Sequence, residues 1–161
     1  MAADTIYGRN LQEARRVFSC SLASFPVNST ETRYVLALPT GFGSFRVERV
    51  YWVSNAALSD ADGVMTVAVT ARDVSENADD ALVSATTVEG GTAHVVNLFT
   101  LATEGTEKEF TLDPGDSVRV VFVNDSAAIN TNGSISVFVE GFPIPNYSEH
   151  DAGVGHPSAY R

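Results

Sequence analysis

The feature that most constrains this chain is a period-two alternation of apolar residues, broken at intervals by turn-forming residues. Residues 117–124 read SVRVVFVN, with Val118, Val120 and Phe122 at every second position. Residues 134–140 read SISVFVE, with Ile135, Val137 and Val139 in the same phase. Side chains of a strand point alternately to its two faces, so this pattern specifies strands with one face buried. Glycine, proline, asparagine or aspartate closes such segments throughout the chain. Strands alternating with long helical patterns would indicate an α/β fold, and no such helical pattern separates these segments.

Further strands are expected at residues 17–25, 31–38, 44–54, 64–72, 83–87, 92–101 and 108–112. The alternation in 44–54 changes face midway, which places a β-bulge near Arg49. The run Tyr51-Trp52-Val53 is expected in the core, where large aromatics bury the most area. Both residue sets of 64–72 are fairly apolar, so this strand is expected to be covered on both sides. The acidic stretch 73–80 reads as a loop, with a helical turn at 76–82. Asp113-Pro114-Gly115-Asp116 has proline and glycine where a tight turn needs them. The spacing implies an all-β fold, a single jelly-roll-like antiparallel sandwich of about eight strands. Three parts are expected: an N-terminal arm (1–16) with a short helical stretch over 10–16, the sandwich (17–141), and an extended C-terminal tail (142–161).

Composition narrows the function. The 161-residue chain can bury a core of its own. Its 20 acidic and 10 basic residues give a net charge of −10, which disfavours nucleic acid and anionic membranes as partners. Lys108 is the only lysine, so the basic side is almost all arginine, the cation favoured at protein interfaces. Cys20 is the only cysteine, which excludes an intrachain disulfide and a thiolate zinc cluster. The first ten residues lack a signal-peptide pattern, so synthesis in the cytoplasm is expected.

Catalytic signatures are missing. There is no G-x-S-x-G elbow and no H-x-H pair, and the three histidines are His94, His150 and His156. A Cys20–His94 dyad would need the fold to join two distant segments, and both residues read better as structural. Asp60, Asp62 and the acidic residues of 73–80 lack the D-x-D-x-D-G spacing of a calcium loop and read as a solvated face. The chain is therefore read as a non-enzyme without a cofactor or metal site. Tyr34, with Asn55, Asn130 and Asn132 in loops, forms an alternative candidate set for glycan contact.

The stretches 34–72 and 93–140, with FTLDPGDSVRVVFVN and SISVFVE in the second, resemble the β-sandwich proteins of tailed-phage virions, most of all head decoration (cement) proteins. The resemblance covers about two-thirds of the chain and lies in the Gly115-Asp116 turn that launches a long late strand. It implies a trimer on the capsid exterior, bound to the major capsid protein and stabilising the head. The contacts would come from Arg9, Arg15 and Arg16 of the arm and Phe142, Ile144 and Tyr147 of the tail. A fibre-like or host-surface carbohydrate-binding module is the alternative that the same architecture allows.

Overall fold

A computed structural model of the chain describes residues 15–24, 28–40, 43–58, 65–74, 77–89, 92–102, 110–125 and 133–144. They form nine strands: β1 (Arg16–Leu22), β2 (Ser29–Ala37), β3 (Ser44–Ser54), β4 (Met65–Asp73), β5 (Ala78–Thr87), β6 (Asn97–Leu98), β7 (Phe110–Leu112), β8 (Ser117–Asn124) and β9 (Ile135–Ile144). Every pairing is antiparallel. One sheet runs β1-β9-β3-β6, with β7 also on β3, and the other runs β2-β8-β4-β5. The pairs nest: β1 with β9, β2 with β8, β3 with β6 and β7, β4 with β5. Nested pairs wrapped into two facing sheets make a jelly-roll-like sandwich.

The core lies between the sheets and is built from the alternating positions. Val118, Val120 and Phe122 of β8 face Val137 and Val139 of β9, with Val67 and Val69 of β4 and Val50 and Trp52 of β3 beside them, all buried. The outward set of β4, Thr66, Ala68 and Thr70, stays half-exposed, which corrects the expectation of a strand covered on both faces. Only Trp52 of the aromatic run is core. Tyr51 and Val53 lie on the outer face, as period two requires of their neighbours.

The bulge in β3 sits at Glu48, one residue from the expected place. Val47 pairs with Gly141 and Arg49 with Glu140, so Glu48 has no partner in β9. Phe45 and Val47 are buried before it, and Val50, Trp52 and Ser54 after it. The extra residue restores the inward phase that continuous alternation would have lost. Gly141 occupies the crowded partner position. A Cβ there would lie 2.0 Å from the Arg46 carbonyl oxygen and 2.8 Å from the Phe45 ring.

The Asp113–Asp116 turn is closed by the Asp116 amide donating to the Asp113 carbonyl (3.0 Å), with Gly115 at φ 104°. Proline followed by a positive-φ glycine is the type II pattern. The buried Asp116 carboxylate accepts hydrogen bonds from the amides of Val74 (3.0 Å) and Asp113 (2.8 Å). Its backbone carbonyl accepts from the Leu38 amide, and the Gly115 amide donates to the Leu38 carbonyl. The turn thus ties the ends of β2 and β4 to the start of β8.

Three further expectations are corrected. The helical turn at 76–82 is absent, and 78–87 is one ten-residue edge strand, because Asp79 and Asp80 are anchored at the sheet margin rather than in a loop. Residues 92–101 supply only the two-residue β6, since His94 adopts a left-handed φ of 61° that breaks an extended run. The last strand passes through Gly141 and Pro143 to Ile144, so Phe142 and Ile144 belong to the sheet rather than to a tail. Of the helical stretch expected at 10–16, Arg16 instead opens β1, and residues 10–14 lie outside the described residues.

Gly141→Ala is expected to destabilise the fold by about 2–4 kcal/mol, because the new methyl meets backbone that cannot yield cheaply. Urea unfolding would show a lower midpoint at an unchanged slope. An unchanged midpoint would contradict the close approach.

Candidate contact surface

The outer face of the β1-β9-β3-β6 sheet carries side chains that a solvated sheet face seldom needs. Cross-strand register aligns them in rows. Ser19, Phe138, Tyr51 and Leu98 form one, from β1 across β9 and β3 to β6. Tyr51 and Phe138 stack with centroids 4.9 Å apart and planes 10° from parallel. Leu98 at the end of the row is 68% exposed, and Val95 and Val96 just before it are also exposed. Val17, Glu140 and Arg49 form the next row, with Val17 exposed at the β1 margin.

Beyond these rows lies an arginine corner. Arg49 Nη2 reaches Glu140 Oε1 at 2.8 Å, and Arg15 bridges Glu140 (3.5 Å) and Glu48 (3.3 Å). The guanidinium carbons of Arg15 and Arg46 lie 5.4 and 5.7 Å from the centre of the Phe142 ring. A cation over an aromatic face is held by the ring quadrupole. Partly exposed ion pairs contribute little stability, so their main effect here is to orient the guanidinium groups. Arg15, Arg46 and Arg49 against Glu48 and Glu140 leave this corner positive on a chain of net charge −10.

Two of the residues expected in capsid or subunit contact, Arg15 and Phe142, thus meet. Arg16 is exposed at the start of β1, and Ile144 is exposed at the end of β9. Arg9 and Tyr147 lie outside the described residues. Tyr51, which was expected in the core, completes the surface with Arg46, Arg49 and Phe138, three residues not marked as contacts from sequence. Only the β3–β9 register shows that they share a face.

The glycan set is not assembled by its described members. Tyr34 is 68% exposed on β2, opposite Arg119. Asn55 lies past the end of β3, where its amide donates to the Ser134 carbonyl (3.1 Å) and its side-chain oxygen accepts from the Ser134 amide (2.7 Å). It pins a loop to β9. Asn130 and Asn132 are outside the described residues. A shallow depression of about 270 Å³, lined by Asn28, Ser29, Thr30, Val123, Asn124 and Asp125, sits at one end of the β2–β8 pair.

Among the described residues no three histidine, cysteine or acidic side chains gather where they could hold a metal ion. Cys20 is on β1 and His94 precedes β6, at opposite margins of one sheet, so three strand spacings of ~4.8 Å separate them. Burial pushes the Cys20 thiol up to about 11 from 9.0, with the Arg33 guanidinium pulling weakly the other way. The folded state favours the neutral thiol, so this stabilisation is fully present below pH 9 and is lost as pH rises through the folded value. Alkylation of Cys20 at pH 8 should run about a hundredfold slower in the folded chain than in urea, as the thiolate fraction dictates. Equal rates would show the thiol to be solvated.

No family model and no curated protein matches the sequence. Among solved structures, a chain of the cyanophage Pam1 capsid asymmetric unit superposes with a TM-score of 0.52 at 19% identity, over 83% of this chain and 87% of that one. Chains from infectious bursal disease virus, strains Gx and Gt, align at 9% and 8% identity with TM-scores of 0.30 and 0.31. They cover 92% of this chain but 48% and 46% of their own, and at those scores they carry no argument. The likeness to the cyanophage chain is one of fold: this chain is an all-β, two-sheet antiparallel sandwich.

Proposed function

We propose that the chain is a virion structural protein that binds the outside of a phage capsid and stabilises the head as a homotrimer, with the major capsid protein as partner. The observation that carries this reading is the shared fold with a chain of similar length in a cyanophage capsid asymmetric unit, since most of each chain is covered. The arginine corner and the aromatic row supply the surface. Arginine and aromatic side chains are enriched where proteins dock, and a positive corner suits an acidic shell. The net charge of −10 is opposite to what a nucleic-acid backbone attracts.

A second reading, a fibre-like or host-surface carbohydrate-binding module, is favoured by the exposed ring of Tyr34, which could stack on a sugar. Binding of the oligomer on a glycan array, lost in Tyr34→Ala, is its expected signature.

The capsid reading is tested by mixing purified protein with undecorated heads of its phage and sedimenting them. Saturable co-sedimentation and heads that withstand higher temperature are expected. Arg49→Glu, which places a second carboxylate beside Glu140, should weaken binding about tenfold or more. No co-sedimentation of the unaltered protein would overturn the reading. Light scattering on the free protein should give three times the chain mass, and a monomer both free and on heads would remove the trimer.

A further inference from the structure

Among the described residues the sandwich has four sheet margins, and three are blunted against strand addition. At the β3 side the outermost strands are β6, of two residues, and β7, of three. The β5 margin is broken by two register shifts against β4 and carries Asp79 and Asp80. The β2 margin has a register shift between Tyr34 and Leu36. It also turns Glu31 and Arg33 to the core side, opposite the buried Phe122 and Val120, where they pair at 3.0 Å. Short edges, bulges and inward-pointing charges are the devices by which sheets resist edge pairing.

The β1 margin has none of these. Its seven residues, RVFSCSL, pair with β9 in unbroken register, without proline, lysine or a carboxylate. No strand among the described residues lies on its other side. Phe18 and Cys20 are only partly buried there, as is Val35 of the adjoining β2. Arg16 stands at one end of this strip, and no carboxylate among the described residues pairs with it. Arg33, 46% exposed, stands across the strip on β2. Among the described residues the margin is therefore an open row of backbone donors and acceptors beside an unfinished apolar strip, with Arg16 at one end and Arg33, paired with Glu31, across it.

We infer that the capsid shell attaches by laying an extended, acidic segment along the open edge of β1 as an added antiparallel or parallel strand. Main-chain hydrogen bonds to β1 supply affinity, alternate apolar side chains of the segment cover Phe18, Cys20 and Val35, and a carboxylate of the segment meets Arg16. This inference rests on the capsid reading and specifies how the partner is held.

The test is hydrogen exchange of the β1 amides, in the free protein and on undecorated heads, with binding measured for Arg16→Glu and Val17→Lys. Exchange across 16–22 should slow about tenfold or more on the heads. Each substitution should weaken head binding about tenfold while leaving the melting temperature unchanged. If the unaltered protein does not bind heads, the capsid reading falls and this inference with it. If it binds but the β1 amides exchange as in the free protein, or if both variants bind normally, strand addition alone is overturned. Protection of β1 that appears on raising protein concentration without heads would assign the edge to a second copy and overturn the shell as its occupant.

Discussion

The β3–β9 ladder is the constraint on which the rest of this sandwich depends. β9 pairs with β1 on one side and β3 on the other, so it is the hub of its sheet. β3 in turn carries β6 and β7. A slip of one residue in this ladder would turn Val137 and Val139 outward and expose Phe138 to the core. The bulge at Glu48 is what lets one strand serve both halves of the ladder, because it keeps Phe45 and Val47 and then Val50 and Trp52 on the core side. Gly141 makes it possible by leaving room for the Arg46 carbonyl. The same geometry sets Arg49 beside Glu140 and Arg46 beside Phe142. The arginine corner is therefore a product of the irregularity that holds the core in phase.

At the sheet ends a second device does work that a disulfide would do in an extracellular domain. The Asp116 carboxylate satisfies two amides from different segments, and its turn exchanges two backbone hydrogen bonds with Leu38. A carboxylate that accepts from two amides fixes the segments that supply them. These bonds are part-buried, so each contributes about 1 kcal/mol rather than the larger penalty of a fully buried unpaired amide. Pro114 and Gly115 pre-shape the turn, so little backbone entropy remains to be lost when it forms. The single cysteine is consistent with this economy of crosslinks, being a half-buried neutral thiol at the β1 margin rather than a reactive group.

Much of this architecture was legible because its core strands obey one rule. Residues 44–54 and 117–124 are strands with the boundaries their alternation suggests, and the phase change in the first announced the bulge. The failures have physical causes. In β5 the neighbours Leu82 and Val83 are both buried, because two register shifts interrupt the period, and Asp79 and Asp80 resemble a loop. In 92–101 the apolar residues are real but Val95, Val96 and Leu98 face outward, so composition imitated a buried strand. Pro143 looked like a terminator, yet it lies in the last strand residues, where a missing amide matters least. The candidate surface was half-legible: Arg15 and Phe142 were each marked by type. Their meeting depends on β1 and β9 lying side by side, which no local pattern states.

The placement of charge then bears on how such a domain can dock. A chain of net charge −10 is repelled from an acidic partner at long range, so association needs a local reversal of sign at the contact. At physiological ionic strength screening acts over roughly 8 Å, so a compact cluster of guanidinium groups dominates the field close to the surface while the distant acids fade. Arginine suits this task because its planar head keeps its charge and stacks on Phe142 without losing its donors. Glu48 and Glu140 do not cancel the cluster. They hold Arg15 and Arg49 in fixed orientation and so reduce the rotamer entropy lost on docking. Arg15 stands on the outer face of this sheet, and Arg16, next in the chain, begins the β1 margin. A partner strand on that margin and a partner surface on that face would be read by one continuous set of cations.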